Sequence, residues 1–303
     1  MNNYTVKYTA LNDIVGRGLL TTVLKFTKAL IYELLKESDD ETKNVKFLPG
    51  AKPYTSEDFK NINVEDIHVK NGKQLEGTER KNPEFDVNLK VSSNPNLRID
   101  IELQNKKTNE LDRRINYYTD LADIIGSKVG MNYGDMSYSL SIWLMNFSYL
   151  GKPIKTFYRM TNELDAFGYS RLIIVDLTEV DNCVNIELRN YLKLLISNDL
   201  STLYKKDDDI MAEAIKYIVN TNADEDTLYD IEQAEKARLQ YNTDIKYAKD
   251  EGLAEGEAKG LAKGETKKQA EMVRTMYSRG QSPEFISEIT DISLAEIKKI
   301  LNI

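Results

Sequence analysis

Two stretches between residues 85 and 104 alternate between apolar and polar positions. Apolar residues occupy the odd positions from Phe85 to Val91 and again from Ile99 to Leu103, and polar residues lie at the even positions between them. A period of two is typical of a β-strand with one buried face. The sequence Asn94-Pro95-Asn96 between the two stretches favours a turn. The pattern therefore predicts a β-hairpin.

Further elements are predicted on both sides of this hairpin. Residues 46–82 are mostly polar, which indicates loops with one or two short elements. Apolar residues recur at helical spacing over 19–36, 109–125, 186–220 and about 224–250. Compact apolar runs at 139–147 and 172–177 suit central strands. Strands interleaved with helices favour an α/β or α+β core.

The composition changes after residue 247. Glycines recur at every fourth position (252, 256, 260 and 264), which places them on one stripe of a helix. Each glycine costs about 1 kcal/mol relative to alanine in a helix. Two alternatives follow: a flexible or partly helical tether, or a helix that pairs with a second copy of the chain along its glycine stripe.

Two short helices are predicted at the end of the chain. Ser282 followed by Pro283 is a typical helix start, and Ser293 with Glu296 forms a capping box. Two short helices with a tight turn have a helix-turn-helix shape. The only lysines of the second helix come late in it, whereas residues that contact bases lie near its start. A docking or oligomerising hairpin is therefore favoured over a reader of DNA sequence.

These changes along the chain predict three segments. Residues 1–245 form the α/β core, 246–280 form a helical linker with the glycine repeat, and 281–303 form a small helical hairpin. The chain has 303 residues, of which 41% are hydrophobic, so it can bury a sizeable core.

Composition and charge limit the possible functions. The net charge of −8 argues against a protein that binds nucleic acid through a general basic surface. One histidine and one cysteine argue against a zinc site, so any metal is expected to be bound by oxygen atoms. No run is long and apolar enough to span a membrane and the first residues lack the pattern of a signal peptide, so we expect a cytoplasmic protein that does not contact a membrane.

The predicted hairpin brings acidic side chains together. Centring it on Pro95 pairs Asp86 with Gln104 and Asn88 with Glu102, so that Asp86, Glu102 and Gln104 share one face. Asp86 and Glu102 are then diagonal neighbours, about 7–8 Å apart between their α-carbons. The two carboxylates could share one divalent cation, although solvated acidic residues on a strand would show the same pattern.

Such a pair suits phosphodiester chemistry. Mg²⁺ is commonly held by one or two carboxylates and keeps water and phosphate oxygens in its shell. The ion lowers the pKa of an attacking water and neutralises charge on the phosphate. It would also supply the positive charge that the acidic chain lacks. The sequence contains no phosphate-binding loop motif, so nucleotide hydrolysis has no support.

The order of these motifs resembles the PD-(D/E)XK nuclease superfamily, and more narrowly its branch of Rpn-type recombination-promoting nucleases or transposases. Asp86 is followed, after the hairpin, by Ile101-Glu102-Leu103-Gln104, and this branch commonly has Glu-x-Gln there. Arg114-Ile115-Asn116-Tyr117-Tyr118 is similar to its Arg-x-x-Tyr-Tyr helix, and Ser141–Phe147 to the strand that follows. The glycine repeat and the closing residues 286–297 are similar to its tail.

The resemblance implies a restriction-endonuclease-like α/β core, with a mixed central sheet flanked by helices and a helical C-terminal tail. It also implies a DNA endonuclease dependent on Mg²⁺ or Mn²⁺, in which Asp86 and Glu102 bind the metal. Gln104 stands where many members of the superfamily have lysine. Glutamine can only orient the attacking water by hydrogen bonding, so Lys106 or Lys90 could restore the missing charge.

Three supporting residues are predicted with less direct roles. Arg114 would contact a phosphate or brace the carboxylates; the alternative is a residue on the helix surface, with Tyr118 in the core. Asp13 begins the sequence Asp13-Ile14-Val15-Gly16-Arg17, which resembles an N-terminal motif of the branch in which Phe-Lys takes the place of Gly16-Arg17.

Two further functions stay open at this point. One is an interaction module that keeps the nuclease fold with little activity and forms homo-oligomers, or binds a partner, through its C-terminal segment. The other is a transposase, although strand transfer is not evident from these residues. A role in recombination or mobile-element biology follows from the name of the branch.

Overall fold

The computed structural model describes residues 4–47, 53–70, 86–124, 130–132, 136–160, 165–205 and 207–303. Within it, spatial contacts divide the chain into two compact units, 1–229 and 230–303. The three-segment organisation with boundaries at 245 and 280 stays a prediction. None of the described helices combines the length and the hydrophobicity needed to cross a bilayer.

Two helices precede the sheet. Helix α1 (Asp13–Thr22) begins at Asn12, whose side chain accepts hydrogen bonds from two amides of the first turn. Helix α2 (Leu24–Glu41) follows directly, because Val23 has non-helical backbone angles. The prediction of one helix over 19–36 is therefore wrong. At the break, the hydroxyl of Thr27 donates to the carbonyl of Leu20 at 2.7 Å and so satisfies an acceptor that the interruption exposes.

Among the described residues, seven strands form one mixed sheet. They are β1 (Lys46–Phe47), β2 (Ile67–Val69), β3 (Val87–Val91), β4 (Asn94–Gln104), β5 (Tyr138–Met145), β6 (Ile154–Met160) and β7 (Asp165–Asp176). The order is β1-β7-β5-β4-β3-β2, with β6 also paired to β7. The predicted central strands are confirmed as β5 and β7, whereas β6 was not predicted. Residues 48–52 and 71–85, including Phe85 of the predicted hairpin, lie outside the described part of the chain.

Strands β3 and β4 form the predicted hairpin in a different register. Asn88 pairs with Asp100, whereas the sequence predicted Glu102 as its partner. The predicted register is therefore wrong by two residues. A shift of two residues leaves every side chain on its predicted face, so the prediction that Asp86, Glu102 and Gln104 share a face is confirmed.

The turn of this hairpin also differs from the prediction. It lies at residues 92–93, and β4 already begins at Asn94. Ser92 is held at the turn by Asp66, whose carbonyl accepts from the Ser92 amide and whose carboxylate accepts from the Ser92 hydroxyl. These contacts come from a distant segment, and local turn propensity at Asn94-Pro95-Asn96 did not reveal them.

Different helices cover the two faces of the sheet. Helix α4 (Leu111–Ile124) lies between β4 and β5 in the chain. These two strands are parallel, and parallel neighbours need a long crossover connection, which is usually a helix. Its Leu111 and Ile115 form an apolar cluster with Trp143, Met145 and Ile174. The opposite face is apolar and buried along β3, β4 and β5, and α1 lies against it at Leu103.

The described residues of the first unit also form the α-helices α3 (Ser56–Lys60), α5 (Ile186–Ile196) and α6 (Asp209–Ala223). The range 186–220, predicted to be helical, contains two separate helices, α5 and α6. Local caps explain this, because the side chain of Asn185 accepts from the Leu188 amide at the start of α5 and that of Asp208 accepts from the Met211 amide at the start of α6.

Helix α7 (Glu225–Ser278) begins in the first unit and continues through the second. The glycine-repeat segment is helical throughout, and a β-carbon added at any of its four glycines would meet no atom within 4 Å. Pairing of this helix with a second copy stays a prediction.

Helices α8 (Pro283–Thr290) and α9 (Leu294–Leu301) confirm the predicted hairpin, with Ser282 and Ser293 as caps. They enclose a small core of Val273, Ile286, Ile292 and Ile297. Together with the mixed sheet and its flanking helices, the long helical C-terminal region confirms the predicted restriction-endonuclease-like α/β fold.

Candidate active site

One face of β4 is polar and nevertheless buried. Arg98, Asp100, Glu102 and Gln104 are 5%, 0%, 1% and 7% exposed, and all lie on the face that α4 covers. Buried polar groups are normally hydrogen-bonded, because an unpaired one carries a large desolvation cost. The hydrogen-bond and ion-pair partners of these four side chains therefore show how this polar face is stabilised.

Two hydrogen bonds that cross between the strands hold Asp86 and Glu102. The backbone amide of Asp86, just before β3, donates to Oε1 of Glu102 at 3.1 Å. The backbone amide of Leu103 donates in return to Oδ2 of Asp86 at 2.9 Å. Each carboxylate thus has one oxygen fixed by the backbone of the neighbouring strand.

The remaining oxygen of each carboxylate contacts an arginine. Nη2 of Arg17, from α1, lies 2.9 Å from Oδ1 of Asp86. Nη2 of Arg114, from α4, lies 3.1 Å from Oε2 of Glu102. The arginine side chains are 42% and 41% exposed, whereas that of Glu102 is 1% exposed. The carboxylates are therefore covered by two cationic groups at the protein surface.

Arg114 is held by several groups at once. Its Nη1 donates to Oε1 of Gln104 at 2.9 Å, and its guanidinium lies 5.0 Å from the ring centre of Tyr118 and 5.6 Å from that of Trp143. The amide Nε2 of Gln104 donates to the carbonyl of Lys106 at 2.6 Å. Gln104 therefore positions Arg114, and Tyr118 supports it from the apolar side.

Burial raises the pKa of the Glu102 carboxyl to about 9, and the charge of Asp86 adds to the shift. These effects outweigh the attraction of Arg114, which lowers the pKa. Glu102 therefore keeps its proton at neutral pH in the metal-free protein. Metal binding at this carboxyl would release a proton, because the ligand form is the carboxylate.

The donor set fits a hard divalent cation with few protein ligands. Among the described residues, no group of three or more His, Cys, Asp and Glu side chains could hold a metal. Asp86 and Glu102 offer two carboxylates, and Mg²⁺ is commonly bound by one or two carboxylates together with water and phosphate oxygens. The oxygens that the backbone does not fix are Oδ1 of Asp86 and Oε2 of Glu102, the same two that the arginines contact.

The other predicted site residues lie farther from this cluster. Asp13 is exposed in the first turn of α1. Lys106 lies beyond the end of β4 with its side chain exposed, and its backbone carbonyl is what contacts Gln104. Lys90 lies on the predicted face, but it pairs with Arg98, about 13 Å along the strand from Asp86. Catalytic roles for these residues stay predictions.

Sequence reasoning missed the role of Arg17. A β-carbon on Gly16 would lie 2.0 Å from the carbonyl oxygen of Ala10 and 2.8 Å from Cδ1 of Leu103, so only glycine allows α1 to approach β4 this closely. The next residue, Arg17, then reaches Asp86. The signal was present in the Asp13–Arg17 motif, but the contact joins residues 69 positions apart.

A second buried acid, Asp100, was also missed. The hydroxyl of Ser141 donates to its Oδ1 at 2.8 Å, and within the part of the chain that the structure describes its Oδ2 has no hydrogen-bond partner. Burial raises the pKa of Asp100 to about 8. Asp100 is fully buried on the same face as Glu102, two residues earlier in β4.

Comparison with known proteins gives one finding. A family model described as a PD-(D/E)XK nuclease family transposase matches residues 57–254, more than half of the chain. The matched range contains Asp86, Glu102, Gln104 and Arg114, whereas Arg17 precedes it. No curated protein and no solved structure matches the chain significantly.

Proposed function

The chain belongs to the PD-(D/E)XK nuclease family transposases, and on this premise we propose that it is a metal-dependent endonuclease that hydrolyses phosphodiester bonds in DNA. The observation that carries the proposal is the pair of carboxylates, Asp86 and Glu102, fixed on one face by crossing backbone hydrogen bonds. A role in recombination or mobile-element biology belongs to the same proposal.

In this proposal Asp86 and Glu102 hold Mg²⁺ or Mn²⁺. Such an ion, when bound, lowers the pKa of a water and neutralises charge on the phosphate. The two carboxylates need no rearrangement of the strands to act as ligands, because backbone amides already fix one oxygen of each. Preorganised ligands avoid the entropic cost of ordering side chains at the moment of binding.

Hydrolysis needs a water that gives up one proton to solvent and attacks phosphorus while the bond to the leaving oxygen breaks. The leaving oxygen then takes a proton from solvent. Gln104 is the residue on this face that could orient the water, since Oε1 has a second lone pair beside the one that Arg114 uses. Lys106 stays a candidate for an additional positive charge near the phosphate.

Local cations make DNA an acceptable substrate for an acidic chain. The net charge is −8, yet Arg17 and Arg114 place two guanidinium groups at the surface beside the carboxylates. Guanidinium groups bind phosphate oxygens well, often through two parallel hydrogen bonds. The affinity for DNA should therefore depend on this one patch.

A plasmid-nicking assay tests the proposal. Wild-type protein should nick DNA in Mg²⁺ or Mn²⁺, and the double variant Asp86→Ala/Glu102→Ala should not. Arg113→Ala, an exposed residue of α4, serves as the matched control and should keep the activity. Nicking by the double variant at the wild-type rate, with contaminating nucleases excluded, would defeat the proposal.

A second candidate is an interaction module with little activity. The observation that favours it is that Arg17 and Arg114 already contact the two oxygens that a metal would use, so both oxygens have partners without a metal. This candidate predicts no carboxylate-dependent binding of Mn²⁺ in calorimetry. It also predicts assembly of the full chain into homo-oligomers, visible in light scattering as at least two copies of 34.7 kDa; a monomer at all concentrations contradicts the assembly.

A further inference from the structure

Arg17 occupies the oxygen of Asp86 that a metal would use. Oδ2 of Asp86 accepts from the Leu103 amide, and Oδ1 contacts Nη2 of Arg17 at 2.9 Å. A divalent cation at Oδ1 would come within a few ångströms of the guanidinium, where two positive charges repel each other. Metal and Arg17 therefore compete for the same carboxylate oxygen.

Arg114 is held on several sides. It contacts Gln104 and the rings of Tyr118 and Trp143 in addition to Glu102. Arg17 projects from α1 with 42% of its side chain exposed, so a ligand can reach its guanidinium from solvent.

Position 104 lacks the positive charge that a lysine would supply there. Gln104 is neutral and its side-chain amide is bound to Arg114 and to the Lys106 carbonyl. A guanidinium remains charged at every physiological pH, so it can bind a phosphate but cannot act as a base. Arg17 is a cation that a metal at Oδ1 of Asp86 would displace.

We infer that Arg17 is a phosphate-contacting residue that exchanges partners: it binds Asp86 in the metal-free protein and the phosphate of the DNA when Asp86 binds a divalent cation. This inference rests on the proposed function. It assigns to α1, outside the range matched by the family model, the positive charge that position 104 lacks. Arg17 therefore holds Asp86 fixed until the substrate complex forms.

Calorimetry with Mn²⁺ and a cleavage assay with the full-length protein test the exchange together. Arg17→Met removes the competing cation, so Mn²⁺ should bind roughly threefold more tightly. Cleavage in Mn²⁺ should nevertheless fall about 100-fold, because a charge aimed at the transition state is lost. A merely structural role for Arg17 would weaken both metal binding and cleavage, so the opposite signs identify the exchange.

Two matched variants sharpen the test. Arg17→Lys keeps the charge, so its Mn²⁺ affinity should match wild type, and it should restore part of the cleavage because lysine cannot bind phosphate through a planar fork. Arg113→Met removes an exposed charge from α4 and should leave both readouts within about twofold of wild type. Arg17→Gln gives the same two readouts as Arg17→Met should the methionine variant unfold.

The outcomes separate this inference from the proposed function. If Asp86→Asn loses Mn²⁺ binding while Arg17→Met and Arg17→Gln bind Mn²⁺ no more tightly than wild type, the exchange is overturned and the metal site stands. If these two variants bind Mn²⁺ more tightly but cleave DNA as fast as wild type, the phosphate contact is overturned. If Asp86→Asn binds Mn²⁺ as wild type does, the proposed function itself fails.

Discussion

The two halves of β4 present buried acids on the same face in different surroundings. Asp100, in the first half, accepts one hydrogen bond from Ser141, and its second oxygen has no partner among the described residues. The guanidinium of its neighbour Arg98 donates to the carbonyls of Pro95 and Leu97. Glu102, in the second half, has both oxygens bound, one by a backbone amide and one by Arg114.

This difference shows what distinguishes a site from a buried acid. Burial raises the pKa of both carboxyls, to about 8 for Asp100 and about 9 for Glu102, so a raised pKa alone does not identify the site. In the second half of β4 a second carboxylate lies across the hairpin, and the two cations that contact the pair are partly exposed to solvent. Access and paired charge define the candidate site.

The largest expected effect compares the two acids directly. Glu102→Gln should lower DNA cleavage by more than about 1000-fold, because metal binding contributes several kcal/mol to the transition state. Asp100→Asn should keep cleavage within about tenfold of wild type, since its side chain is closed off from solvent. Initial rates on a linear DNA substrate measure both. Equal losses in the two variants would remove the distinction between the halves.

The two buried acids, Asp100 and Glu102, share a raised pKa, which should make the free energy of unfolding depend on pH. Each carboxyl has a raised pKa in the folded state, so the folded protein keeps protons that the unfolded chain has already released. The contribution of these two groups to stability should therefore be largest at the ordinary carboxyl pKa and below it, and should be lost as the pH rises towards 8 and 9.

Urea unfolding of the metal-free protein between pH 5.5 and 8.5 measures this slope. Asp100→Asn and Glu102→Gln should each make it shallower, because the amide cannot ionise. A slope that is unchanged in both variants contradicts the assignment of these carboxyls as protonated groups.

A smaller effect should mark the contact between α1 and the second half of β4. Gly16→Ala forces a β-carbon against the Ala10 carbonyl and Leu103, which should lower the free energy of unfolding by about 1–3 kcal/mol and reduce cleavage. Gly18→Ala is the matched control, because its β-carbon would meet the hydroxyl of Tyr217, the movable end of a side chain. Urea unfolding and cleavage rates report both effects. Equal cleavage by the two variants would show that the approach of α1 does not set the site.

The smallest expected effect concerns Lys106. Its side chain is exposed beyond the end of β4, so Lys106→Met should reduce cleavage by about threefold at most, the range of a single exposed charge. Arg17→Met should reduce it far more. The ratio of the two rates on one DNA substrate decides which residue supplies the missing charge; a larger loss in the lysine variant would favour Lys106.

The face of the site could be predicted from the sequence because it depends on parity alone. Alternation placed Asp86, Glu102 and Gln104 on one face, and an error of two residues in the register left that result intact. The caps at Ser282 and Ser293 were predictable for the same reason, since each acts on an amide three residues away.

The features that were missed depend on distant contacts. Arg17 reaches Asp86 across 69 positions, and the hairpin turn is fixed by Asp66 from another segment. The break at Val23 lies inside a run with good helical spacing, and nothing in the periodicity marks it. Local patterns predict which elements form and which side faces the core, but not which charges meet.

The crossing amide bonds have a consequence for how such a protein changes over generations. The groups that hold Asp86 and Glu102 belong to the main chain, and every amino acid other than proline provides that donor. Substitutions of the side chain at 103 therefore leave in place the amide that fixes Asp86. The position of the two carboxylates can persist through changes in the side chains around them.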